Sequence, residues 1–322
     1  MHAIRFDRTG GPEVLEHVQL DDPSPGPLDV VVEVAAAGVN FIDTYHRSGL
    51  YPVDLPSGLG SEGAGTVVAT GDQVSSIQVG DRVAWTGAMG SYATHVAMEA
   101  DRVVRVPDDL DLEVAGAVML QGMTAHYLSH STAPLGSDDT VLVYAAAGGV
   151  GRLLVQLAKR RGARVLACTS TDEKAEHVLA LGADEVIRYR DVDVPAAVRE
   201  LTDGNGVDVV YDSVGADTWE DSLDSLRPRG LCVFYGNASG PVPPLNLQEL
   251  AKRGSLFTTR PTLFAYIATH DELTWRASSL FDLIRSDQLD VLVHERYPLA
   301  EAGRAHTDLE SGTTSGKLLL IP

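Results

Sequence analysis

The period of the hydrophobic positions changes twice along this chain. Up to about residue 122 they come in short runs. Val30-Val31-Val32-Glu33-Val34, Gly65-Thr66-Val67-Val68-Ala69, Asp81-Arg82-Val83-Ala84-Trp85 and Tyr92-Ala93-Thr94-His95-Val96 are rich in β-branched and aromatic residues and are bounded by Gly, Pro and Asp. Several short strands separated by turns predict a compact, barrel-like, mostly β domain. Residues 114–128 then read as a helix that bridges onward. From about 123 to 262 apolar strands alternate with amphipathic helices, the strands falling at 140–144, 164–169, 185–188, 207–212, 230–235 and 255–259. That alternation predicts an α/β fold with a doubly wound parallel sheet, its ligand at the carboxyl ends of the strands. Residues 263–322 return to mixed character. A helix over 271–286 shows apolar spacing at Leu273, Leu280, Leu283 and Ile284, and 318–321 reads as a terminal strand that completes the first domain. The expected division is 1–122 with 263–322 as one domain and 123–262 as the other.

The stretch Leu142-Val143-Tyr144-Ala145-Ala146-Ala147-Gly148-Gly149-Val150-Gly151 leaves a strand, crosses a run of small residues and opens an amphipathic helix over 152–161. Read as G-x-G-x-x-G/A, its three positions are Ala146, Gly148 and Gly151, with alanine replacing the first glycine. Small residues let the backbone turn tightly and approach a pyrophosphate, which then sits on the positive end of the helix. Gly58, Gly60 and Gly63 also fit the pattern. They follow Pro56 and open no helix, so they read as loop geometry, because context decides this motif.

A length of 322 residues exceeds one ordinary core, which agrees with two domains. No apolar run approaches the roughly 20 residues of a membrane span. The N-terminus enters a strand pattern directly, without a signal-peptide profile, and both cysteines, Cys168 and Cys232, fall in apolar strands, so a cytoplasmic protein without disulfides is expected. The formal charge of −20 opposes nucleic acid and anionic membranes, and it requires any site for a phosphorylated ligand to gather cations locally.

Asp138-Asp139, Leu142, Ala146-Ala147-Gly148-Gly149-Val150-Gly151, Gln156 and Lys159 resemble the pattern of the quinone oxidoreductase and zeta-crystallin family, on the zinc-free side of the medium-chain dehydrogenase/reductases. The resemblance runs from the first strand to the terminal Leu-Leu-Ile-Pro. Tyr211-Asp212-Ser213-Val214-Gly215, Tyr235-Gly236-Asn237-Ala238-Ser239-Gly240 and Thr259-Arg260-Pro261 are most similar to the bacterial NADPH:quinone reductases. It implies a Rossmann NADPH-binding domain, a GroES-like catalytic domain and a homodimer joined along the sheet edge near 230–235.

The residues themselves favour NADPH over NADH. An NAD enzyme of this fold ends its second strand on a carboxylate for the ribose 2′-hydroxyl. Here Thr169-Ser170-Thr171 follows that strand, Lys174 comes soon after, and Tyr189 and Arg190 follow the third. Hydroxyl and cationic donors suit a 2′-phosphate. Asp172 and Glu173 oppose this unless they serve as first-turn acids of a helix. The resemblance assigns the 2′-phosphate to Ser170, Lys174 and Tyr189. The turn Gly236–Ser239 can lie beside the nicotinamide half, with Asn237 and Ser239 as hydrogen-bonding side chains. Arg260 can meet a pyrophosphate or a developing oxyanion, and Lys317 is a weaker candidate for either. Gln121 and Thr124 can touch the nicotinamide edge.

Zinc alcohol dehydrogenases of this superfamily carry a Cys in G-V-C and a His in G-H-E. The matching segments are Gly38-Val39-Asn40 and Gly60-Ser61-Glu62, and two cysteines cannot form a four-cysteine lobe. His126 and His130 are four apart, but Tyr127 replaces the Glu of H-E-x-x-H. No metal is expected. Hydride transfer without a Lewis acid suits an acceptor that already tolerates negative charge, either a quinone or an α,β-unsaturated carbonyl. By resemblance Asn40, Tyr45 and Tyr51 line the cleft near the nicotinamide. Asn40 can donate to an acceptor oxygen, and the tyrosines can stack on a flat ring or stabilise an oxyanion. Quinone reduction leads. Reduction of an enone or enoyl thioester, with Tyr51 as proton donor, stays open, as does a crystallin-like role in binding NADPH or RNA, which the charge disfavours.

Overall fold

The computed structural model describes all of residues 1–322. It divides into two compact units, one formed by Met1–Met123 with Tyr266–Pro322 and the other by Thr124–Ala265. No helix is long and apolar enough to cross a membrane.

The second unit is the doubly wound sheet that the alternation predicts. Its six strands are all parallel. In space they run Glu185–Arg188, Arg164–Thr169, Thr140–Val143, Val207–Asp212, Leu226–Phe234 and Phe257–Thr259, which is 3-2-1-4-5-6 in order of appearance. Both faces are covered, so the central strands read as unbroken apolar runs: Val141, Leu142 and Val143 have no exposed surface, and neither do Val165 to Cys168. The helix Gly149–Arg160 packs Leu153, Leu154, Leu157 and Ala158 inward. The fifth strand starts earlier than its apolar residues indicate. Leu226 pairs with Val207, the register then shifts, and Leu231 pairs with Val209. The chain makes this excursion at Pro228-Arg229-Gly230, where Arg229 takes φ 63°. A proline and a left-handed residue inside the strand hide its beginning from a pattern reading.

The first unit is the β domain. A seven-stranded sheet contains Asp29–Val39, Glu62–Thr70, Arg82–Thr86 and Val103–Arg105, and the terminal strand Lys317–Ile321 pairs antiparallel with Asp29–Val39 through Leu318↔Val39 and Leu320↔Ala37. A three-stranded sheet is built on His2–Phe6. The helix Phe41–Ser48 leaves the end of the central strand, and the helix Ala302–Glu310 lies shortly before the terminal one. The core holds Val30, Val32, Val67, Val83, Trp85, Tyr92 and Leu318. The bridging helix Leu112–Tyr127 is mostly apolar and buried along most of its length, and it continues as a π-turn over Leu128–Thr132.

The decoy glycines find their reasons here. Gly60 sits at φ 94° beside Tyr92, as loop geometry requires. Gly63 differs from the loop reading: it lies inside the strand Glu62–Thr70, paired with Ala37 and Trp85, where a Cβ would stand 2.6 Å from the Trp85 ring and 2.8 Å from the Ala36 carbonyl oxygen. Gly63→Ala is therefore expected to cost about 1–3 kcal/mol of folding stability through overpacking. Urea unfolding followed by tryptophan fluorescence measures this, and an unchanged midpoint would contradict the packing account.

Candidate functional site

In the second unit the small-residue loop does three things. Ala145 turns the chain out of the first strand at φ 48°, a conformation that costs a non-glycine residue energy. Gly148 is the N-cap of the helix Gly149–Arg160 and offers no side chain to cap it, so the first-turn N–H groups meet no capping oxygen from within the motif. Gly151 is buried against the loop. A Cβ there would collide with the Ala145 carbonyl oxygen and stand 2.8 Å from Ala146 Cα. Val150 sits half-buried in the same turn. A phosphate fits such a helix end, where dipole and unbonded N–H groups act together.

The end of the second strand adds charge. Thr169 Oγ1 is buried without a hydrogen-bond partner. The helix Asp172–Ala180 begins there, its N-cap Thr171 accepting from the Lys174 backbone N–H at 3.3 Å. Half-burial pushes the Lys174 amine below its usual pKa, and the nearby Arg190 charge pushes it further. The Arg190 guanidinium lies 5.9 Å over the ring of the exposed Tyr189. Two cations close enough to disturb each other, following the strand that ends beside Ser170, fit an added phosphate. Asp172 and Glu173 are both first-turn acids of their helix. Asp172 is paired with Arg188, which also holds Asp191.

The loop after the fourth strand hangs on one carboxylate, and the loop after the fifth is bonded to it through the Ser213 and Val214 carbonyls. Asp212 is fully buried. Its Oδ1 accepts from the N–H groups of Val214 at 2.7 Å and Gly215 at 3.0 Å, and its Oδ2 accepts from the hydroxyls of Thr218 at 2.8 Å and Ser222 at 2.7 Å. Gly236 passes so close to Ser213 that a Cβ would strike its carbonyl oxygen. Ser239 is occupied within the loop: its hydroxyl donates to the Val214 carbonyl at 3.0 Å and accepts from the Asp217 N–H at 3.0 Å. Asn237 is nearly buried, Thr124 is buried, and Arg260 is exposed with one donor on the Pro261 carbonyl at 3.2 Å. Motif reading includes Asp212 only as one letter of a pattern. Its place at a strand end, followed by small residues and two hydroxyls, is the signal of its role.

In the first unit Asn40, Glu62 and Lys317 form one buried cluster. The Lys317 ammonium donates to Glu62 Oε1 and to Asn40 Oδ1, the latter at 2.8 Å. Asn40 Nδ2 donates to Glu62 Oε1 at 2.7 Å and to the Gly38 carbonyl at 3.3 Å, and Glu62 Oε2 accepts from the Leu120 N–H at 2.6 Å. Glu62 is 0% exposed and Lys317 1%. Burial pushes the lysine amine down while the Glu62 charge pulls it back up. Both amide hydrogens and the oxygen of Asn40 are thus taken up inside the protein, and so is the Lys317 ammonium. This set does not fit a metal ion, because an ammonium already satisfies the acceptors of Glu62 and Asn40. Tyr45, on the helix Phe41–Ser48, and Tyr51, three residues past its end, are half-exposed. Their rings meet edge to face at 5.2 Å, and the Tyr51 N–H donates to the Tyr45 carbonyl at 3.0 Å. They offer aromatic surface with a phenol at its rim.

The zinc-binding dehydrogenase family model matches residues 149–272, and the alcohol dehydrogenase GroES-like domain model matches 26–108. A quinone oxidoreductase of Pseudomonas aeruginosa is 49% identical over 321 residues, covering 99% of each chain. A 2-haloacrylate reductase of Burkholderia sp is 42% identical, covering 99% of this chain and 98% of its own. The crystal structure of Escherichia coli quinone oxidoreductase complexed with NADPH superimposes with a TM-score of 0.98 at 46% identity, covering 100% of both chains.

Lys317→Met leaves Glu62 buried without its cation and is expected to cost about 3–5 kcal/mol. Lys317→Met with Glu62→Gln removes both charges and is expected to recover most of that loss. Chemical denaturation of the three proteins is the check, and a double variant no more stable than the single one would refute the pairing.

Proposed function

The chain belongs to the quinone oxidoreductase family, and from that premise we propose that it reduces quinones by two electrons, using NADPH and no metal. The observation that carries the cofactor reading is the pairing of an uncapped helix end at Gly148–Gly151 with the Lys174 and Arg190 cations beyond the second and third strands. Bound NADPH supplies the hydride. The backbone N–H groups of Gly148, Gly149, Val150 and Gly151 take the pyrophosphate, and Ser170, Lys174 and Tyr189 take the 2′-phosphate. The loop carrying Gly236, Asn237 and Ser239, bonded to the turn that Asp212 fixes, presents a rigid backbone to the nicotinamide half, with Thr124 beside the nicotinamide. Arg260 offers a cation to the pyrophosphate or the acceptor oxygen.

The Tyr45 and Tyr51 rings hold a flat acceptor by stacking, and a phenol donates to the oxygen that gains charge. Hydride addition to a quinone gives an aromatic hydroquinone monoanion, which takes its proton from water, so no protein acid is needed. Asn40 contributes by holding the turn that precedes these tyrosines, since Glu62, Gly38 and Lys317 occupy its carboxamide. We further place the protein in the cytoplasm as a homodimer acting on small molecules, with neither nucleic acid nor membrane as partner. The formal charge of −20 supports the last point. The exposed Phe257 on the sheet's edge strand supports self-association. Likeness to a 2-haloacrylate reductase supports the second reading, in which an electron-poor alkene is the acceptor and Tyr51 delivers a proton.

The decisive assay follows NADPH oxidation with a metal chelator present, using a benzoquinone, a naphthoquinone and an enone in parallel, with NADH as control. Quinone turnover with NADPH is expected, whereas turnover of the enone alone would move the assignment to the alkene. Lys174→Ala is expected to weaken NADPH about tenfold or more while sparing NADH, and equal losses would sink the 2′-phosphate assignment. Tyr51→Phe is expected to keep NADPH affinity and lower kcat about tenfold. An unchanged kcat would leave the ring as a packing element.

A further inference from the structure

A second buried chain of polar groups in the first unit takes no part in the scheme above. It begins at Arg47, whose guanidinium is almost fully buried and grips Glu310 with Nη1 at 3.0 Å and Nη2 at 2.7 Å, while Nε donates to the Gly10 carbonyl at 3.2 Å. The remaining contact of Nη1 is with His306 Nδ1 at 3.0 Å. A guanidinium has no acceptor, so Nδ1 must accept. His306 is 0% exposed, and burial together with the Arg47 charge holds its pKa down to about 3. A neutral ring that accepts at Nδ1 carries its hydrogen on Nε2.

Each further link then has one direction. His306 Nε2–H donates to the Tyr92 hydroxyl oxygen at 3.2 Å, and the Tyr92 hydroxyl donates to Asp43 Oδ2 at 2.8 Å. Asp43 also receives the Asn40 backbone N–H on Oδ2 and the Ser61 hydroxyl on Oδ1, both at 2.9 Å. It is fully buried, and burial raises its carboxyl to about 6 against the opposing effect of those three donors. The charged or titratable groups facing this chain are Arg47, Glu310, Asp43 and, across Asn40, Lys317 and Glu62. Asp43 is the third residue of the helix Phe41–Ser48, and its bond to the Asn40 N–H closes the capping box that starts it. The position of that turn sets the placement of Tyr45 on the next.

We propose that His306 is a positioning residue for the acceptor: locked by Arg47 as the Nε2–H tautomer, it drives a one-way hydrogen-bond chain through Tyr92 onto Asp43 and so fixes the helix that carries Tyr45. The functional half of this proposal rests on the quinone reductase reading, whereas the tautomer does not. Reversing any one link would set two donors, or two acceptors, against each other in a buried place. The chain therefore behaves as a unit.

Nitrogen-15 NMR of histidine-labelled full-length protein at pH 7 tests the tautomer directly. The His306 signals, identified by their loss in His306→Gln, are expected to show a bare Nδ1 and a protonated Nε2. The opposite tautomer, or a doubly protonated ring, overturns the proposal whatever the enzyme reduces. Kinetics test the positioning. His306→Leu is expected to raise the quinone KM about tenfold with little change in kcat and none in NADPH affinity. His306→Gln, whose amide can accept from Arg47 and donate to Tyr92, is expected to restore most of the loss. Tyr92→Phe removes one hydroxyl and is expected to reproduce the Leu phenotype, which keeps the test open if His306→Leu folds poorly. Wild-type quinone KM in Tyr92→Phe, or equal defects in the Leu and Gln variants, would refute the role. A wild-type enzyme inert to all quinones would instead sink the functional reading and leave the NMR result standing.

Discussion

Asp43 and Glu62 are both fully buried, and an ionised carboxylate taken out of water costs several kcal/mol unless donors replace its hydration. The first unit meets that demand with two buried cations and a ring of hydroxyl, amide and backbone donors. Lys317 serves Glu62 from the terminal strand and also favours the charged form of Asp43, while Arg47 pairs with Glu310 and orients the His306–Tyr92 chain that ends on Asp43. Asn40 stands between the two acids. Its side chain bonds to Glu62 and its backbone N–H to Asp43. The entry to the helix Phe41–Ser48 is therefore pinned from both sides. A hydrophobic plug could hold such a turn in place, but it would not orient it, because dispersion contacts have little direction while each bond here admits one donor and one acceptor.

The second unit applies the same device to different parts. Asp212 uses two backbone N–H groups and two hydroxyls and needs no cation, which suits a carboxylate at a strand end where N–H groups of the next turn converge. The loop so fixed lies beside another whose shape comes from small residues. In both places the backbone is made rigid before any ligand arrives, so less ordering remains to be paid on binding.

Much of this architecture is legible in the sequence because it is local. The strands Arg164–Thr169, Glu185–Arg188 and Val207–Asp212 coincide with apolar runs bounded by breakers, and the loop from Ala145 to Gly151 announces itself through a strand before and a helix after. The strand Leu226–Phe234 is blurred at its start because Pro228 and Arg229 interrupt it without ending it. The buried chain is opaque for a different reason. Tyr92 meets Asp43 across 49 positions and His306 across 214, and no spacing rule operates at that range. Asn40 shows the limit most sharply. Its residue type is right for donating to a ligand, and its neighbours in the sequence give no sign that Gly38, Glu62 and Lys317 absorb every polar atom of its side chain.

Charge is where composition and site pull hardest against each other. At −20 the protein as a whole repels a phosphorylated ligand, yet the screening length at physiological salt is about 8 Å, so groups in contact with the ligand outweigh the distant surface. What matters is which acids stand near Lys174 and Arg190. Arg188 holds Asp172 and Asp191 in ion pairs, and Glu173 is left as the acid that supports the Lys174 charge. One arginine thus neutralises the acids that would compete for the proposed 2′-phosphate site, while Lys174 and Arg190 remain unfavourably close to each other. That repulsion is relieved when an anion joins them, so the cluster gains more from a phosphate than either cation would alone. On the proposed assignment, local pairing, more than net charge, lets an acidic protein select a phosphorylated ligand.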